Sequence, residues 1–129
     1  MIIDVLRAYQ RVGLDAGAVL RAVADGEFAG VTSTLTLLEV SVRPLRLGRP
    51  EIADAYEALL EGIENLAIVR VDTRVARIGA DLRATYDLRT PDALQLAACL
   101  ELGAGAFLTN DRRLRRVKEI DVFVLDDFV

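Results

Sequence analysis

At 129 residues, with 53% hydrophobic and 28% charged side chains, the chain has the length and balance of one folded domain, residues 1–129, and not of a disordered protein. It holds no histidine and a single cysteine, Cys99, which excludes an internal disulfide and any mechanism built on an imidazole base or a nucleophile–imidazole pair. A net charge of −4 argues against a surface that attracts polyanions everywhere and leaves room only for a local basic patch.

Taken in chain order, residues 2–11 and 15–24 have helical character, and the turn-forming Asp25-Gly26 leads to a short strand over 28–32. Ser33 or Thr34 then caps a helix to about residue 47, which Gly48 ends, with Pro50 beyond it. The next helix, over 50–64, places Ile52, Ala55, Tyr56, Leu59, Leu60 and Ile63 at helical spacing, and the β-branched stretch 66–71 has strand length. A further helix over 73–86 carries Val75, Ile78, Gly79 and Leu82 on one face. Thr90-Pro91 supplies a cap and first turn for a helix to about residue 102. The chain then gives a strand over 106–109, a short basic helix over 112–117 and a strand over 122–125.

Short strands separated by helices predict right-handed crossovers and a three-layer α/β/α fold with a mainly parallel sheet, in which ligands bind at the carboxyl ends of the strands. Repeats and low-complexity linkers are absent, and no Gly-rich loop ends in Lys-Ser or Lys-Thr. The apolar run 35–42 is broken by Glu39, and no run approaches the roughly 18 to 20 residues of a membrane span. With no leader pattern visible, the expected address is cytoplasmic and the expected partners include no membrane.

Three acids stand out. Glu39 sits in a helix with apolar residues on nearly every side, where an ionised carboxylate needs a cation or hydrogen bonds, unless it reaches solvent or pairs with Arg43 one turn on. Asp92 falls in the first turn of its helix, where free N–H groups and the dipole favour an anion whether or not it has a further task. Asp111 comes two residues after the strand that ends at Thr109, a place for a cap, shared with Asn110, and equally for a ligand contact. Were the three to converge, each close pair would repel by about 4 kcal/mol at ~4 Å and an effective dielectric near ~20. A divalent cation would relieve this, and an all-oxygen donor set selects Mg²⁺ or Mn²⁺.

The stretch Val31-Thr32-Ser33-Thr34-Leu35-Thr36-Leu37-Leu38-Glu39-Val40 resembles the strand and helix that carry an acidic Glu in the PIN-domain family. Leu88-Arg89-Thr90-Pro91-Asp92-Ala93-Leu94-Gln95-Leu96-Ala97 resembles that family's Pro-Asp-Ala-Leu block, and Ala106-Phe107-Leu108-Thr109-Asn110-Asp111-Arg112-Arg113-Leu114 its terminal Thr-x-Asp block. The resemblance extends over about residues 28–128. It implies a PIN-like α/β fold and a metal-dependent endoribonuclease, commonly the toxin of a VapBC-type toxin-antitoxin pair, with a small antitoxin and a homodimer as expected assemblies. On this resemblance Glu39, Asp92 and Asp111 hold one or two Mg²⁺ or Mn²⁺ ions that activate water on an RNA phosphodiester, and the Thr109 hydroxyl orients a carboxylate or metal-bound water.

The basic run Arg112, Arg113, Arg115, Arg116 and Lys118, with Arg43, Arg46 and Arg49 on the Glu39 helix, suits phosphate contacts. A solvated basic helix offsetting Asp126 and Asp127 is the plainer alternative. Tyr9, Tyr56, Tyr86 and the phenylalanines are scattered, so no stacking platform for bases is visible.

One departure from the family pattern is at the start. Met1-Ile2-Ile3-Asp4-Val5-Leu6-Arg7 resembles the helix that follows the family's first acidic strand. That alignment puts the family's first Asp before Met1, so the first strand is expected to be missing or truncated, the coding region to extend upstream, and activity to be impaired. The other alignment makes Asp4 that acid. Two rivals to the enzyme remain from the sequence: a degenerate PIN scaffold that binds RNA or a partner without cleaving, and an α/β interaction domain whose acids are only caps.

Overall fold

The computed structural model describes residues 21, 23–26, 29–109 and 111–124. The helix expected over 2–11, most of that over 15–24, the question of Asp4 and of a truncated first strand, and Asn110 lie outside the described residues. In chain order the elements are β1 (Gly30–Ser33), α1 (Thr34–Arg46), α2 (Pro50–Gly62), β2 (Leu66–Val69), α3 (Thr73–Tyr86) and α4 (Thr90–Glu101). They continue with β3 (Ala106–Thr109), a 3₁₀ turn (Arg112–Arg116) and β4 (Asp121–Val124).

Every described strand pairing is parallel, as the alternation of short strands and helices leads one to expect. β1 runs beside β2 in the register Gly30 to Leu66 through Ser33 to Val69, and β3 beside β4 from Ala106 to Asp121 through Thr109 to Val124. Among the described residues these form two sheets of two strands each. Helices α1 and α2 lie between β1 and β2, and the 3₁₀ turn between β3 and β4, so each parallel pair is closed by a crossover and not by a hairpin.

Helix starts follow three different local signals. Of the two candidates for the α1 cap, Ser33 takes the role: its Oγ accepts the Leu35 N–H at 3.2 Å. Asp72 caps α3, with Oδ1 accepting the Val75 N–H at 2.9 Å. The expectation that Thr90 caps α4 is corrected, because Arg89 holds the cap position without a side-chain bond and Thr90 and Pro91 are already helical. Proline there loses nothing, since a first-turn N–H has no acceptor inside the helix. The expected strand over 28–32 is shifted to end at Ser33, the strand over 66–71 stops at Val69, and the basic helix over 112–117 is a five-residue 3₁₀ turn.

Packing centres on α4. Ala93, Leu96, Ala97 and Cys99 are buried against Val31 of β1, Val75 and Leu82 of α3, Phe107 of β3 and Leu114 of the 3₁₀ turn. Removal of side chains such as Leu96 and Phe107 from water contributes about 1.5–3 kcal/mol each. α3 comes close to α4 at Gly79, where an added Cβ would stand 3.4 Å from Leu94 Cδ2. A second tie is polar: Ser33 Oγ donates to Gln95 Oε1 at 2.9 Å, Gln95 Nε2 donates to Thr36 Oγ1 at 2.8 Å, and the Thr32 and Thr36 hydroxyls lie 2.8 Å apart. All four side chains are buried, so the network binds β1 and the first turn of α1 to the middle of α4.

Candidate functional site

Asp92 owes its place to helix chemistry. The α4 start gives it free backbone N–H groups and the positive end of the dipole, and the core around α4 leaves its side chain 4% exposed. Arg89, one helical turn earlier and exposed, reaches back so that Nε donates to Asp92 Oδ2 at 3.1 Å. Sequence reasoning missed Arg89. The signal was there in the spacing of three residues from an acid at a helix start.

Asp111 is fixed by the tip of β3. Buried Thr109 turns its Oγ1 to accept the Asp111 backbone N–H at 3.1 Å. The Asp111 carboxylate caps the 3₁₀ turn, Oδ1 accepting the Arg113 N–H at 3.0 Å. The Arg113 guanidinium forks onto the same carboxylate, Nε to Oδ1 at 3.0 Å and Nη2 to Oδ2 at 2.8 Å. Such a bidentate, charge-assisted pair stabilises the ionised acid. The Arg113 guanidinium accordingly holds the Asp111 carboxyl below the usual aspartate range, partial burial opposes it, and the positive charge of Arg89 adds to it.

These two corners face one cleft of about 230 Å³. Asp92 and Asp111 line it together with Arg89, Arg113 and Arg116, and with Asp87 from the end of α3. Asp92 also raises the affinity of Arg113 for its proton, after the larger effect of Asp111. Two carboxylates and two guanidiniums therefore sit within electrostatic reach of one another. Arg116 donates from Nη2 to the Asp87 carbonyl at 3.3 Å, and Arg83 Nε donates to the next carbonyl, Leu88, at 2.7 Å.

The other expected residues are distributed differently. Glu39 is half-buried on α1, with Oε1 buried, and is not among the residues that line the cleft. Of the basic run, Arg113 and Arg116 line the cleft, whereas Arg112, Arg115 and Lys118 are exposed outside its lining. Arg49 is ion-paired with Glu51 at 2.5 Å, and Arg43 and Arg46 are exposed at the end of α1.

Among the described residues no group of three acidic or cysteine side chains is gathered closely enough to hold a metal ion by itself. Asp92 and Asp111 nevertheless fit a hard divalent ion, because Mg²⁺ characteristically takes one or two carboxylates, keeps several waters and accepts substrate phosphate oxygens. The donors are all oxygen. Cys99, the one thiol in the chain, is fully buried in the core and pushed up to about 12 by burial.

A family model described as PIN domain matches residues 7–120. The fold is similar to that of a toxin-antitoxin complex chain from Klebsiella pneumoniae, with a TM-score of 0.70, 19% identity and 95% of each chain covered. It is similar also to VapBC2 from Rickettsia felis bound to a DNA fragment from its promoter, with a TM-score of 0.71, 14% identity, and 96% of this chain and 98% of that one covered. DNA-bound VapBC from Salmonella typhimurium gives a TM-score of 0.68 at 19% identity over 95% of this chain and 96% of that one. No curated protein matches the sequence. Among the described residues no helix is long and apolar enough to cross a membrane.

Proposed function

The chain belongs to the PIN-domain family, and from that membership we propose that it is a Mg²⁺- or Mn²⁺-dependent endoribonuclease, the toxin of a VapBC-type pair. The observation that carries this reading is the shared cleft of Asp92 and Asp111, two nearly buried carboxylates walled by Arg89, Arg113 and Arg116. Carboxylates supply hard ligands, and guanidiniums supply countercharge for a phosphodiester. Asp92 and Asp111 would hold the ion, with Glu39 as a third acid, and the metal would supply Lewis acidity toward phosphate and a more acidic water. Thr109 keeps the Asp111 backbone in place, and Arg89 and Arg116 meet the RNA backbone.

The solved relatives are toxin-antitoxin complexes, which supports a small antitoxin as this chain's partner; a homodimer in the cytoplasm completes the reading. The test is cleavage of an end-labelled RNA with Mn²⁺ and with EDTA. Activity should require the metal, and Asp92→Asn and Asp111→Asn should each lower the rate by about a hundredfold or more, since even outer-shell losses cost 10- to 100-fold. Metal-independent cleavage would overturn the mechanism. RNA binding without cleavage would favour a scaffold that binds and does not cut.

A further inference from the structure

We propose that Arg113 is a built-in competitor for the metal: its guanidinium occupies the carboxylate of Asp111, and a divalent ion that uses Asp111 has to displace it. The inference rests on the reading of the cleft as a metal site and adds to it a residue that sets the site's affinity.

Both carboxylate oxygens of Asp111 are engaged by a single side chain, through Nε at 3.0 Å and Nη2 at 2.8 Å. Oδ1 also accepts the Arg113 backbone N–H at 3.0 Å. The cap bond fixes the direction of the carboxylate, so the acid cannot turn to offer a different edge without breaking the 3₁₀ turn it initiates. Asp111 is 10% exposed, which leaves little surface for any ligand besides the one already there. Arg113 is 67% exposed. It can therefore leave the carboxylate without opening the core, and the cation alone is the mobile partner of the pair.

Electrostatics makes the two cations exclusive. A guanidinium and a divalent ion on the same two oxygens would repel across a few ångströms in a partly dry cleft, where charge is poorly screened. The second acid, Asp92, lines the same cleft as Arg113 and Asp111, so both cations would have to share one small space. Spacing explains why this neighbour and no other takes the role. Two residues past a cap, Arg113 has its backbone N–H on the carboxylate, and its side chain closes a fork over the same group. Arg112 and Arg115 flank it in sequence and do not line the cleft.

The test is calorimetric titration of the full chain with MnCl₂ alone, without RNA, with folding of each variant checked by circular dichroism. Arg113→Ala should bind Mn²⁺ about three- to tenfold more tightly than wild type, the range expected when a partly exposed charge-assisted fork is lost. Arg113→Lys, which keeps the charge without the fork, should fall between the two. Arg112→Ala makes the same change in net charge outside the cleft and should leave the affinity nearly unchanged. The Asp111→Asn/Arg113→Ala double variant should bind no more tightly than Asp111→Asn. Equal or weaker Mn²⁺ binding by folded Arg113→Ala, or an equal gain in Arg112→Ala, overturns the proposal and leaves the metal site standing. Absence of Mn²⁺ binding in wild type and Arg113→Ala alike overturns the metal site and this inference together.

Discussion

A hydroxyl, a cap and a fork hold Asp111, and each can be removed separately. Thr109→Val keeps the shape of a buried side chain and deletes the acceptor for the Asp111 N–H. We expect a loss of about 1–2 kcal/mol in chemical denaturation, the range for a hydrogen bond removed from one side. An unchanged midpoint would show that water replaces the hydroxyl. Cys99 gives a pH dependence of opposite origin. Burial raises its thiol from 9.0 to about 12, so the folded chain keeps the proton while the unfolded chain loses it. The contribution is constant below pH 9, and between about 9 and 12 stability should fall by ~1.4 kcal/mol per pH unit from this group. Cys99→Ala should flatten that alkaline limb in urea titrations. At this scale the positions of Asp92 and Asp111 were legible because a helix start and a strand end mark them in the sequence, whereas Glu39, inside α1, does not line the cleft. Arg89 and the Arg113 fork were not, since they depend on where long side chains turn.

Between elements, the Ser33–Gln95–Thr36 network joins α1 to α4 one helical turn from Glu39 and from Asp92. Gln95→Leu would fill the space and take the amide from two buried hydroxyls, leaving Thr36 only Thr32 and Ser33 only the Leu35 N–H. We expect a cost of about 2–4 kcal/mol, and a smaller one for the Thr32→Val/Thr36→Val/Gln95→Leu triple variant, which removes both threonine hydroxyls along with the amide and keeps the Ser33 cap of α1. Failure of the triple variant to recover stability would mean that packing, not hydrogen bonding, carries the tie. At the α3–α4 contact, Gly79→Ile should cost about 1–3 kcal/mol by driving atoms toward Leu94 and the Ala93 carbonyl. Among the described residues the helices and strands were readable from period and length, and the parallel pairing followed from their alternation. Their ends were less so. Thr90 was the natural cap by residue type, yet Pro91 in the second position places the boundary one residue earlier. The polar network escaped notice because its members are distant in sequence and individually ordinary.

For the whole molecule the net charge of −4 opposes RNA, and attraction must be local to the cleft. In an Asp92→Asn background, Arg116→Ala should lower the slope of log affinity against log salt by about 0.7, the value for one single-strand phosphate contact. Fluorescence anisotropy at several salt concentrations measures it, and an unchanged slope would remove Arg116 from the interface. The position of Cys99 has one more consequence. Its sulfur lies 4.0 Å from the Ala106 carbonyl, so it sits where α4, whose first turn holds Asp92, meets β3, which leads to Asp111. A thiol reagent can reach it only when those two elements part. The rate of its labelling is thus an internal clock for breathing between the two halves of the cleft. An ion that bridges the two aspartates should slow the clock, and one that sits on either acid alone should leave it ticking at the same pace.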